Sequence, residues 1–363
     1  MAQFVMAGGG TGGHVLPLIA VARELRARGH EVIFIGTRRG YEARLVPEAG
    51  FPIEWIEVGG IKRAGPAKMA RSLWRFSASM GRCLRLVRAD AVFSLGGFVA
   101  APVCAAAIMR RIPLVAMEPN ALPGVVNRWC ARWVRRALVA WPETARFFPG
   151  GRCEVTGVPI RREFFDVSPR TRGEWLNVLI TGGSQGSRRL NRAFRESWPL
   201  FRNWPGKVRF VHQSGATDEA EMSRDFAASR VSGEITAFIS DMPGAFAAAD
   251  IVVGRAGASA VAELAAAGKP SILVPFPHAA DDHQTRNAQA MERVGAARLV
   301  ADAEMTGARL FEEVRRLAAD PPELERMSIA ARAQARPGAA ERAAQVLEAV
   351  VLTHSDTSRN NTR

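Results

Sequence analysis

Three segments of this 363-residue sequence carry residue types and spacings able to do chemistry. In the first, Met6-Ala-Gly-Gly-Gly-Thr-Gly-Gly-His14, the glycines Gly8, Gly9, Gly10, Gly12 and Gly13 follow an apolar run and precede a helical pattern. Where Cβ atoms are missing, backbone N–H groups can approach a phosphate at the positive end of a helix, so an anion site is expected here; a tight strand-to-helix turn without a ligand is the alternative. The loop lacks a Gly-Lys-Ser/Thr ending and its histidine follows the glycines directly, which supports neither a kinase nor a standard dehydrogenase. His14 stands where the helix begins. A helix N-terminus disfavours imidazolium, so a neutral imidazole placed to take a proton from a hydroxyl is one reading, and a capping or packing histidine is the other. The second segment, Thr181-Gly-Gly-Ser-Gln-Gly186, repeats the phosphate logic with Ser184 and Gln185 as donors and Arg188 and Arg189 just beyond. The third, Gly254-Arg-Ala-Gly-Ala-Ser-Ala-Val-Ala-Glu263, puts a carboxylate inside the helix that its turn opens. Glu263 either accepts both hydroxyls of a ribose or is an ordinary solvated helix residue.

The elements that must position these segments follow from periodicity. Short β-branched runs at residues 4–7, 31–35, 91–95, 113–117 and 137–140 alternate with longer helical stretches, and the pattern restarts at 177–181, 207–212, 235–238, 251–253 and 271–274. This predicts an α/β chain with two Rossmann-like doubly wound parallel-sheet domains, residues 1–161 and 162–336, whose loops face across a cleft. Pro337-Gly338 breaks the chain before a last helical stretch at 339–353, read as packing back on the first domain, and the polar residues 354–363 read as a disordered tail.

Composition narrows the partners. The 49 Lys+Arg against 35 Asp+Glu give a formal charge of +14, which implies an anionic partner: nucleic acid, anionic lipid or phosphorylated ligand. Cys83, Cys104, Cys130 and Cys153 lie far apart without metal-ligand spacing, so neither zinc nor a disulfide framework is expected and a reducing compartment fits. The N-terminal residues do not read as a secretion signal, and no apolar run has the length of a membrane span, so any membrane contact is expected to be peripheral.

Five motifs in order make a more specific statement: Gly-Gly-Thr-Gly-Gly-His (9–14), Gly-Gly-Ser-Gln-Gly (182–186), Arg-Ala-Gly-Ala-Ser-Ala-Val-Ala-Glu (255–263), Gly-Lys-Pro-Ser-Ile-Leu-Val-Pro-Phe-Pro (268–277) and Asp-Asp-His-Gln-Thr-Arg-Asn-Ala (281–288). Together they resemble the MurG family of GT-B glycosyltransferases over all but the tail. The resemblance implies inverting transfer of GlcNAc from UDP-GlcNAc to the 4-hydroxyl of the MurNAc-pentapeptide of undecaprenyl-pyrophosphoryl lipid I, without a metal or other cofactor. It also implies a peripheral location on the cytoplasmic face of the bacterial cell membrane, among the proteins of cell-wall synthesis and division. By position, Thr11, Gly12 and Gly13 match the family's cleft-lining loop and His14 its proposed general base, with Glu118 a second candidate. Donor contacts fall on Asn120, Arg161, Ser184, Ile239 (uracil), Ala258, Ser259, Ala260, Val261, Ala262, Glu263 (ribose) and Gln284 (sugar hydroxyls), and Gly96 and Gly97 go with the acceptor. Pro119, Val158 and Ala260 depart from residues frequent in relatives, which touches single hydrogen bonds.

Between residues 61 and 88 stand eight basic residues and no acidic one. At roughly 100° per residue, Met69, Leu73, Phe76, Met80, Leu84 and Val87 share one helical face and Arg71, Arg75, Arg82 and Arg85 the other, with Trp74 among the arginines. An indole in a basic face suits a lipid headgroup layer, and Arg128, Arg132, Arg135 and Arg136 around Trp129 and Trp133 either extend that face or form a solvated helix edge. Two rivals remain: another GT-B enzyme, such as a lipid or natural-product glycosyltransferase or a UDP-GlcNAc epimerase, and a basic nucleic-acid-binding protein. No helix-turn-helix or RNA-binding signature supports the latter.

Overall fold

The computed structural model describes residues 1–10, 12–58, 79–168 and 173–360. Two compact units divide the chain, Met1–Ile160 with the chain from Gly338 onward, and Arg161–Pro337. In the first, parallel strands β1 (Gln3–Ala7), β2 (Glu31–Gly36), β3 (Ile53–Trp55), β4 (Ala91–Ser94), β5 (Leu114–Glu118), β6 (Arg136–Val139) and β7 (Cys153–Val155) lie in the order β3-β2-β1-β4-β5-β6-β7. Alternate residues of each central strand enter separate cores: Phe4, Met6, Phe93 and Met117 on one face, Val5, Ala7, Val92 and Ala116 on the other. Both faces are covered, which is why these strands read as continuous apolar runs.

The helices of this unit are α1 (Gly12–Ala27), α2 (Glu42–Glu48), α3 (79–86), α4 (Gly97–Met109) and α5 (Val125–Cys130). In α3, Val87 at its end and Cys83 are buried while Arg82 and Arg85 are exposed, and Met80 and Leu84 pack against the core, as the helical wheel expects. Thr11 and the segment bearing Arg71, Trp74 and Arg75 lie outside the described residues.

The second unit holds β8 (Leu176–Thr181), β9 (Val208–Gln213), β10 (Gly233–Thr236), β11 (Ile251–Gly254), β12 (Ser271–Leu273) and β13 (Ala297–Leu299), in the order β10-β9-β8-β11-β12-β13 and again parallel. Its helices are α6 (Arg188–Arg202), α7 (Glu219–Ser229), α8 (Met242–Ala248), α9 (Ala258–Ala267), α10 (His283–Arg293), α11 (Gly307–Ala319) and α12 (Pro321–Ala333). Ser187 caps α6 by accepting the Leu190 N–H, and Leu190, Phe194, Trp198 and Phe201, one face at helical spacing, fill the core against Phe210 and Phe226.

The last helix, α13 (Ala339–Asn360), belongs to the first unit. Ala343, Ala344, Leu347 and Val350 enter the core that α1 helps to build, and Glu348 meets Arg28 and His30 at 3.2 and 2.9 Å. The helix continues through 354–360, which polarity alone assigned to a disordered tail; that stretch contains neither Pro nor Gly to stop it. Other differences fall at sheet edges. β3, β7 and β13 are three residues each, too short to show a period, and β10 begins at Gly233, two residues ahead of the expected run. Backbone approaches backbone so closely there that a Cβ on Gly233 would lie 2.1 Å from the Phe210 oxygen.

Each sheet reverses direction of winding once, between β1 and β4 in the first unit and between β8 and β11 in the second. Loops at the carboxyl ends of those strands flank a crevice, the ordinary ligand position of an open α/β sheet.

Candidate active site

In the first unit that position is built by the turns after β1, β4 and β5. His14, half-buried in the first turn of α1, neighbours the β4–α4 turn: a Cβ on Gly97 would lie 3.8 Å from the Gly9 oxygen and 4.0 Å from His14 Cε1. Gly96 and Gly97 both have positive φ, 76° and 78°. Gly96 is held bare from behind as well, since a Cβ there would sit 3.0 Å from Oδ1 of the buried Asn127. Phe98, half-exposed, leans on Gly10.

The glycines of the first loop are not all available to a phosphate. Gly10 donates its N–H to Oε2 of Glu42 at 2.8 Å, and a Cβ on Gly9 would lie 2.5 Å from the same carboxylate. Gly9 is thus bare for the sake of a buried side chain, and the Gly10 N–H is committed to the same carboxylate. Glu118, the second candidate for the proton acceptor, lies at the end of β5. Its carboxylate is only 2% exposed and accepts from Asn120 N and Nδ2, Gly124 N and Asn127 Nδ2 at 2.8–3.0 Å. Burial pushes its pKa up while those four donors pull it down. A carboxylate so enclosed organises the 118–127 loop, and with it Asn120.

In the second unit the 182–186 turn follows β8 and nests on the chain after β9, where a Cβ on Gly186, at φ +73°, would lie 1.8 Å from the Ser214 oxygen. Ser184 and Gln185 stand exposed on this turn. Two residues to which the sequence assigned no role tie the site together. Gln213, at the end of β9, donates Nε2 to the Gly183 oxygen at 2.6 Å and accepts the Ile239 N–H at 2.9 Å. Arg255, after β11, donates to the oxygens of Val274 and Pro275, to Asp302 at 2.6 Å and to Ser187 Oγ at 2.8 Å, so one guanidinium joins three loops.

α9 opens at Gly257, whose extended backbone leaves the first N–H groups without a side-chain cap. Ala258, Ser259, Ala260 and Ala262 are partly exposed, whereas the Val261 side chain is buried in the unit, so that residue offers a ligand only its backbone. Glu263 is half-buried, and its surroundings push its pKa up to about 7, with Arg161 working in the other direction. Arg161 is exposed and stacks its guanidinium 5.1 Å over Phe164. Gln284 accepts the Phe276 N–H through Oε1 at 3.0 Å, which leaves its amide N–H groups to donate. The Gly268-Lys269 pair, by contrast, is architectural: Gly268 ends α9 at φ +60°, and the buried Lys269 ammonium donates to the Ala249 oxygen beyond α8 at 2.9 Å.

Comparison with known proteins adds to this geometry. Residues 4–139 match the glycosyltransferase family 28 N-terminal domain and residues 177–343 the glycosyltransferase family 28 C-terminal domain. A UDP-N-acetylglucosamine–N-acetylmuramyl-(pentapeptide) pyrophosphoryl-undecaprenol N-acetylglucosamine transferase of Solibacter usitatus (strain Ellin6076) is 60% identical over 350 residues, 96% of either chain. The crystal structure of Acinetobacter baumannii MurG is similar with a TM-score of 0.78 at 32% identity, over 96% of this chain and 99% of that one. A UDP-GlcNAc 2-epimerase of Neisseria meningitidis, at a TM-score of 0.64 and 14% identity over 97% and 99% of the two chains, shares the fold alone.

Proposed function

This chain belongs to glycosyltransferase family 28, among its UDP-N-acetylglucosamine–N-acetylmuramyl-(pentapeptide) pyrophosphoryl-undecaprenol N-acetylglucosamine transferases, and from that membership we propose how its residues perform the transfer. GlcNAc passes from UDP-GlcNAc to the MurNAc 4-hydroxyl of lipid I, giving lipid II for peptidoglycan synthesis.

In this reading the second unit holds the donor. The Ser184 turn and the uncapped N–H groups of α9 meet the diphosphate, Ile239 lies against the uracil, Glu263 accepts from the ribose hydroxyls and Gln284 donates to hydroxyls of the sugar. Arg161, close enough to Glu263 to influence its ionisation, adds positive charge for the departing UDP. The observation that carries the reading is the convergence of these residues on one switch point, held there by Gln213 and Arg255.

The first unit takes the acceptor. The turn at Gly96 and Gly97 opens the thirteen-residue α4 beside His14, a place suited to a pyrophosphate. His14 removes the proton of the 4-hydroxyl as its oxygen forms a bond to the anomeric carbon; the bond from that carbon to UDP breaks on the opposite face, UDP leaves with the electron pair, and the α-linked donor becomes a β-linked product. Asn120, set by Glu118, reaches toward the donor sugar. A lipid-linked acceptor brings this unit to an anionic membrane surface on the cytoplasmic side. Support comes from the half-exposed Trp129 and Trp133, whose rings lie 5.6 Å apart among the exposed Arg128, Arg132, Arg135 and Arg136. No helix among the described residues is long and apolar enough to cross a membrane.

The test is transfer of labelled GlcNAc to a short-chain lipid I analogue by His14→Ala and Glu263→Ala. His14→Ala is expected to lower kcat by at least about 100-fold with the donor KM held, and Glu263→Ala to raise the donor KM. Near-normal turnover by His14→Ala would remove it as the base, and an unaltered donor KM in Glu263→Ala would remove it from the ribose.

A further inference from the structure

Glu42 is 1% exposed, and among the described residues its carboxylate is held by hydrogen bonds rather than by an ion pair. Oε1 accepts from Thr37 N at 3.0 Å and Thr37 Oγ1 at 2.7 Å, and Oε2 from Gly10 N at 2.8 Å. Three glycines make room for it. A Cβ would fall 2.0 Å from the carboxylate at Gly40, 2.5 Å at Gly9 and 2.7 Å from Cγ at Gly36. A buried carboxylate is costly unless several donors compensate it, so the loop after β2, the start of α2 and the glycine turn after β1 are built to enclose this one group.

We propose that Glu42 is a positioning residue for transfer: it anchors the turn that leads into α1 and thereby sets the place of His14 and the adjoining N–H groups. Of its hydrogen bonds, the one to Gly10 crosses from α2 to the functional turn, and Gly10 has φ +87°, so the carboxylate fixes the residue where the turn bends toward α1. Its charge also shapes what the turn binds. With Gly10 N–H committed to Glu42, that donor is withheld from the acceptor pyrophosphate.

The inference rests on His14 and its turn acting on the acceptor, so His14→Ala is measured in parallel on the full chain, using UDP-GlcNAc, a short-chain lipid I analogue and calorimetric binding of UDP. Glu42→Gln keeps the shape but turns an NH2 toward either Gly10 N–H or Thr37 N–H. The expected result is a kcat loss on the order of 100-fold per folded molecule, the scale of a misplaced catalytic group, with UDP affinity unchanged because the residues assigned to the uracil, ribose and diphosphate lie in the other unit. Gly9→Ala, which displaces the carboxylate without removing it, should lower kcat likewise, and should add nothing in a Glu42→Ala background. Should Glu42→Gln fail to fold, Thr37→Val removes one donor at constant shape and is expected to lower kcat by several-fold. Wild-type kcat in folded Glu42→Gln or in Thr37→Val, or losses from Gly9→Ala and Glu42→Ala that simply multiply, would overturn the proposal. A silent His14→Ala beside a slow Glu42→Gln would instead remove the base assignment and leave the anchoring intact.

Discussion

Glu263 shows how much a single residue's environment adds to its type. As one glutamate in a helix it is unremarkable by composition, but its surroundings hold its pKa at about 7, with Arg161 opposing. Two opposite pH trends follow. Folding is favoured while the group is protonated, so its contribution to stability is complete below the ordinary value of 4.5 and is lost as pH rises through about 7. Donor affinity runs the other way, because the ionised carboxylate is the better acceptor for ribose hydroxyls and becomes populated over the same interval. UDP binding should therefore strengthen across pH 6 to 8, about one unit either side of that midpoint, while Glu263→Gln binds more weakly and without that dependence. A variant with the wild-type pH profile would assign the titration to another group. The residues legible in the sequence were those inside contiguous small-residue motifs: His14, Ser184 and the start of α9. Glu42 and Gln213 were not legible, because each acts on a loop at least 26 residues away and looks locally like an ordinary helix or strand residue, and Arg255, though inside a motif, gave no local sign of its reach to Ser187 and Asp302. Nor does anything local show that four donors converge on Glu118.

Among the elements, the central strands were legible because burial on both faces makes their apolar runs continuous. The three-residue edge strands had no pattern to read, and α13 outran its apolar stripe. The corner from α5 to β6 carries a consequence of its own. Trp129 and Trp133 are 46% and 43% exposed where core packing would have hidden them, and Arg132 lies 5.1 Å over the Trp133 ring. Paired indoles within a basic rim suit a headgroup layer. Replacing both by Ala should reduce cosedimentation with phosphatidylglycerol vesicles at low salt, with retained folding checked by circular dichroism. Undiminished cosedimentation would turn this corner into a solvated edge and leave the segment around Trp74 as the candidate contact.

For the molecule as a whole, a formal charge of +14 asked for an anionic partner without choosing one. The choice came from topology: each unit has one switch point, and each switch point carries a turn of small residues opening a helix. That arrangement serves two phosphate-bearing substrates, a nucleotide sugar and a lipid pyrophosphate, and family membership names them. The most direct measurement is the structure of the product made by the wild-type chain from UDP-GlcNAc and a short-chain lipid I analogue, read by NMR at the new anomeric proton. A single β-linked GlcNAc on the MurNAc 4-hydroxyl, with release of UDP, is the expected product. An α-linked product, or conversion of UDP-GlcNAc to its 2-epimer with no transfer, would contradict it.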